Sequence, residues 1–106
     1  MAIPGFINNL LDNVSTNTNG TPMPIQDKGY KNLYIQATNF GGGTVSLEWT
    51  LTPEVSGSWT VANDPSGNPL SVTQNSMYTS LSLYGAYYRA VLSGSSGASG
   101  VCVRLV

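Results

Sequence analysis

The stretch Thr44-Val45-Ser46-Leu47-Glu48-Trp49-Thr50-Leu51-Thr52 decides the fold. Val45, Leu47, Trp49 and Leu51 fall on one face of an extended chain and Thr44, Ser46, Glu48, Thr50 and Thr52 on the other. That two-residue rhythm is the mark of a strand with a core side and a wet side. Pro53, which cannot donate to a ladder, closes it. Upstream, Leu33, Ile35 and Ala37 alternate with Tyr34, Gln36 and Thr38 from Tyr30 onward, and the run stops at Gly41, Gly42 and Gly43. The triplet reads as a flexible hairpin turn; a phosphate loop would need a following lysine and helix. Downstream, Trp59 with Val61 starts a shorter strand that ends in the turn-rich segment from Asn63 to Asn68, and Leu70 with Val72 marks another. Leu81 and Leu83 alternate with serine and tyrosine before Gly85. Two last strands, Tyr87 to Leu92 and Val101 to Val106, flank a Gly/Ser loop from Ser93 to Gly100.

About seven to eight short strands with a turn signal every eight to twelve residues predict an all-β fold, an antiparallel β-sandwich that is Ig-like or jelly-roll-like. Residues 30–106 make the sandwich domain; residues 1–29 are set apart as an N-terminal arm and linker. Ser15 to Pro24 is polar and broken by Gly20, Pro22 and Pro24, so no regular element runs through it. Before it, Phe6, Ile7, Leu10, Leu11 and Val14 fit a short amphipathic helix started by Pro4, and an extended strand equally. These apolar residues need burial. The expectation is that Leu10 to Val14 joins the fold and that the terminus makes a contact with another chain.

Nine charged side chains in 106 residues, a net charge of −1 and a charged fraction of 8% exclude several function classes. The charged share is about a third of the usual one. No basic patch exists to neutralise phosphates or a charged membrane surface, so neither nucleic acid nor membrane is an expected partner. A surface this short of charge also favours association over a free monomer. The single cysteine, Cys102, permits no internal disulfide. Met-Ala-Ile-Pro-Gly-Phe does not read as a secretory signal, and a protein made in the cytoplasm of its producing cell is expected.

Chemistry has little material. There is no histidine, the carboxylates Asp12, Asp27, Glu48, Glu54 and Asp64 stand far apart, and Cys102 has no base near it in sequence. No enzyme, no metal and no cofactor is expected. Cys102 alternates with Val101 and Val103, which turns it away from their side, and a buried structural thiol is its simplest role. The six tyrosines with Trp49 and Trp59 suit either sheet packing or a sugar-stacking platform. Pairing the last two strands as a hairpin, Leu92 opposite Val101, would set Arg89 opposite Arg104. Like charges there repel, so Glu48 or an acid of another subunit is expected between them. The residues expected at a partner contact are therefore Ile3, Phe6, Ile7, Leu10, Arg89 and Arg104. Deleting residues 1–9 is expected to spare the sandwich and weaken assembly.

Five segments carry a family resemblance: Leu10-Leu11-Asp12-Asn13-Val14, Asn39-Phe40-Gly41-Gly42-Gly43-Thr44-Val45-Ser46-Leu47, Ser58-Trp59-Thr60-Val61, Tyr87-Tyr88-Arg89-Ala90-Val91-Leu92-Ser93-Gly94 and Gly100-Val101-Cys102-Val103-Arg104-Leu105. In this order and spacing the chain, over residues 10–106, resembles small β-sandwich structural proteins of tailed bacteriophages. The resemblance implies a virion component, foremost a capsid decoration or cement protein on the capsid surface. Its implied partners are the major capsid protein or other virion proteins, in a homo-oligomer or high-copy assembly. A head-tail, tail or fibre component, including a receptor- or glycan-binding module, is the alternative; an aromatic groove would favour it, and both tryptophans in the core would count against it.

Overall fold

The computed structural model describes residues 8–26 and 29–106. Its ten strands are β1 (Asn8–Val14), β2 (Thr18–Asn19), β3 (Met23–Ile25), β4 (Tyr30–Gln36), β5 (Thr44–Thr50), β6 (Thr60–Val61), β7 (Ser71–Val72), β8 (Ser76–Ser82), β9 (Ala86–Ser93) and β10 (Val101–Leu105). All pairings are antiparallel, and one set is nested: β1 with β10, β2 and β3 with β9, β4 with β8, and β5 with β6 and β7; β10 with β4 and β9 with β5 then join these pairs into sheets. A long two-stranded ribbon has folded back on itself. The sheets it forms run β1-β10-β4-β8 and, with the short strands sharing a lane at each edge, β2/β3-β9-β5-β6/β7. This eight-lane winding is that of a jelly roll, which decides between the two sandwich types expected.

The core lies between the sheets. Leu33, Ile35, Leu81, Val101, Val103 and Leu105 of the first sheet meet Val45, Leu47, Ala90 and Leu92 of the second, with Leu70 added from just before β7. The β5 alternation holds through Leu47, and Trp49 packs half-buried on the core. It then fails: Thr50 is buried and Leu51 is 67% exposed. The β5 ladder ends at Thr50, whose hydroxyl meets that of Ser58 at 2.7 Å and accepts from the Thr52 backbone at 3.1 Å. The segment from Leu51 to Ser58 thus folds back over the strand end and leaves Leu51 outside.

Three expectations change for one reason: segments adjacent in sequence sit in opposite sheets. The glycine triplet does not close a hairpin; it carries the chain from β4 in one sheet to β5 in the other. Gly41 (φ 60°) and Gly42 (φ 73°) turn it, and Ser96 donates to the Gly41 carbonyl at 2.8 Å. The Gly/Ser loop from Ser93 to Gly100 is a second crossing, so β9 and β10 are not partners. The two crossings bind each other through the Asn39 to Ser99 bridge. The segment before residue 29 is the third case. It contributes β1 to the first sheet and β2 and β3 to the second, so the sheets draw on it as well as on residues 30–106.

Candidate interaction surface

The residues expected at a partner contact divide. Ile3, Phe6 and Ile7 lie outside the described residues. Leu10 is not at a surface: it is 2% exposed within the core. Irregular pairing between Asn9 and Leu11 against β10 is a bulge, and it turns Leu10 and Leu11 inward together, which no strict alternation allows. The chain there is strand, not helix.

The two arginines stand apart on different sheets. Arg89 on β9 donates from Nε to Glu48 Oε1 at 2.8 Å, directly across the β5 to β9 ladder, and its guanidinium lies 4.3 Å from the centre of the Trp59 ring. Glu48 is thus the acid expected beside Arg89, though no second arginine is there to be separated. Arg104 on β10 donates from Nε to Asn9 Oδ1 at 2.9 Å across the β1 to β10 ladder. Trp59 therefore packs on the outer face of the second sheet, half-buried, and neither tryptophan is fully buried in the core. Cys102 faces away from the core side of Val101 and Val103, as its alternation with them predicts, opposite Gln36, and is half-buried where a buried structural thiol was expected.

What the topology gathers instead is an apolar end. Nine large apolar side chains are exposed among the described residues, and five, Tyr30, Leu51, Tyr84, Tyr87 and Val106, belong to one end of the sandwich. The registers place them: Tyr30 pairs with Ser82 at the end of β8, Val106 bonds Asn32, and Tyr87 pairs with Thr50, next to Leu51. The opposite end is built from the Gly/Ser and Asn/Gly crossings. Two adjoining depressions open at the apolar end. One, of about 220 Å³, is walled by Pro24, Ile25, Gln26 and Tyr87; the other, of about 300 Å³, by Trp49, Asn63, Leu83, Tyr84 and Tyr88. Leu51, Gly85 and Ala86 line both. Gly85 and Ala86 are too small to cover Leu51, and burying that side chain would be worth about 2 kcal/mol.

The sequence reading missed this site because it placed Leu51 on the core face with Val45 and Leu47. Pro53 was the available signal, since a strand closing there has its last apolar residue at the rim. The sheet edges offer less. β1 carries two register shifts and the left-handed Asn13 (φ 54°), and β8 a bulge with Ser80 at φ 60°. The other two edges consist of strands of two or three residues, one containing Pro24. None presents a long straight ladder for strand addition.

Among the described residues, no three His, Cys, Asp or Glu side chains gather as a metal site. Comparison of the chain with protein-family models, curated proteins and solved structures finds no match.

Proposed function

We propose that the protein is a non-enzymatic structural component of a tailed-bacteriophage virion, a capsid decoration or cement protein made in the host cytoplasm and bound in many copies to the capsid surface. The observation that carries the reading is the apolar end: a low-charge sandwich with blunted edges keeps Leu51, Tyr84 and Tyr87 uncovered at one pole. Exposed apolar groups gathered in one place mark contact surfaces, and contacts that desolvate little charge suit a chain with 8% charged residues. Jelly rolls recur in viral capsid and lectin domains, which fits the reading without establishing it. The family resemblance over residues 10–106 supports it further. Partners would be the major capsid protein, other virion proteins and further copies of this chain.

A receptor- or glycan-binding module of a tail or fibre is the second reading. Trp49 and Tyr84 line a shared depression with the Asn63 amide beside them, a combination of ring and polar group suited to sugars. A density map of the purified particle separates the two. Many symmetry-related copies on the capsid support decoration; a few copies on a fibre support the second reading, and absence from the particle overturns both. The Leu51→Ser, Tyr87→Ser double variant should enter particles in lower copy number while remaining folded.

A further inference from the structure

Of the asparagines in the chain, only Asn19 is followed by glycine, and that pair falls at the end of β2. Asn-Gly is the pair at which an asparagine most readily reacts with its own backbone, because glycine has no Cβ to obstruct the next peptide nitrogen. In that reaction the Gly20 nitrogen attacks Asn19 Cγ, the bond from Cγ to Nδ2 breaks, and ammonia departs with the amide proton, taken up by way of hydroxide. Water then opens the cyclic imide at either carbonyl, leaving aspartate or isoaspartate. The fold withholds the nucleophile. The Gly20 N–H donates to the Ala90 carbonyl at 2.8 Å, so the proton that ring closure must remove is engaged. Asn19 is paired with Val91, and closing the ring requires its backbone to rotate out of that ladder. Both flanks are pinned: Asn17 Oδ1 accepts from the Ser95 backbone N–H at 2.9 Å and its hydroxyl at 2.6 Å, and Met23 pairs with Tyr88. The Asn19 side chain, by contrast, is exposed to water and base.

We propose that Asn19 is a latent deamidation site, shut in the folded chain and irreversible once it has opened and reacted to isoaspartate. β2 is a two-residue strand at a sheet edge, the kind of element that opens locally at low cost. Isoaspartate runs the chain through the former side chain and so adds one carbon to the main chain between residue 19 and Gly20. With Asn17 and Met23 held, that carbon either takes the Gly20 N–H out of reach of the Ala90 carbonyl or drives the buried Gly20 into the carbonyls of Leu10 and Ala90. Neither is tolerated at a position that cannot accept even a methyl group. The aspartate product keeps the original main chain, places its new charge in solvent and refits. The edge therefore marks its own opening: a chain that has reacted to isoaspartate does not restore β2. The inference concerns the chemistry of the isolated chain and does not depend on its place in a particle.

The test sets the full chain beside a synthetic peptide of residues 16–23 in mildly alkaline buffer, with aspartate and isoaspartate at residue 19 counted by peptide mapping. The folded chain should react at least about tenfold more slowly than the peptide, and urea should close the gap. Equal rates without urea overturn the proposal. The second readout is refolding: chains aged in urea are diluted into buffer and separated by size exclusion. Isoaspartyl chains should elute as expanded species, whereas aspartyl chains should elute with the unreacted protein. Isoaspartyl chains that elute with the native peak overturn the irreversible step. Asn19→Asp controls for charge and should fold as the natural chain does; if it does not, the added charge and not the longer main chain is responsible, and the backbone argument fails. All readouts are independent of particle incorporation, so the virion reading stands or falls separately.

Discussion

At Gly20, between β2 and β3 alongside β9, the chain has no room for a side chain. Its backbone N–H donates to the Ala90 carbonyl at 2.8 Å, and an added methyl group would overlap the Leu10 carbonyl oxygen and lie 2.7 Å from that of Ala90. Both neighbours are backbone and cannot swing away. Gly20→Ala should therefore cost at least about 2 kcal/mol, read from urea midpoints. Gly42→Ala meets nothing within 4 Å and has only its left-handed φ to accommodate, so its cost should be nearer 1 kcal/mol. Tyr88 makes a different kind of demand. Burial raises its phenol above the ordinary value of 10.0, against a smaller opposing effect of a hydrogen bond with the Tyr84 backbone. The folded state then holds the phenolic proton more tightly than the unfolded chain. The contribution is complete below pH 10 and is lost as pH rises through the folded value. Denaturation of Tyr88→Phe alongside the natural chain should show the stability difference shifting toward the phenylalanine variant above pH 10.

At the scale of elements, β1 decides how the first third of the chain is understood. Apolar residues at Leu10 and Leu11 are legible in the sequence as groups that need burial. Their destination is not, because a helix and a strand satisfy the same short pattern and a bulge can turn two neighbours inward. Leu11, 3% exposed, anchors β1 in the core, and Leu11→Ala should cost about 2–5 kcal/mol in thermal or chemical unfolding. A solvent-exposed arm would give almost no change. The clean truncation ends at residue 7, since Asn9 accepts the Arg104 hydrogen bond and pairs in the ladder. The Arg89 to Glu48 pair teaches the complementary lesson. Repulsion between Arg89 and Arg104 in a hairpin calls for Glu48 or an acid of another subunit between them; Glu48 does meet Arg89, although that hairpin does not form.

Across the whole molecule, scarcity of charge governs how it can adhere. The described ionic groups are spread over strands of both sheets and the loops at Glu54 and Asp64, and the apolar end contributes Leu51, Tyr84 and Tyr87. On the proposed virion reading, binding to a particle should consequently change little between about 0.1 and 1 M salt, over which the Debye length falls from ~10 to ~3 Å. Copy number per particle measured after salt washes checks this, and stripping by modest ionic strength would point to a charged interface.

The sequence alone determined that the body is a sheet-built sandwich and where most strands lie, because the side chains of a half-buried strand must alternate whatever their partners. It also limited the chemistry, since nine charged residues and no histidine are counted without coordinates. Which strands pair was settled only by the tertiary structure. Glycine-rich links such as Gly41 to Gly43 and Ser93 to Gly100 permit a hairpin and a crossing alike, and the choice is made by burial between sheets, a non-local energy. For the same reason the apolar end could not be read in advance: Leu51 keeps the strand rhythm, but the β5 ladder ends one residue before it, at Thr50.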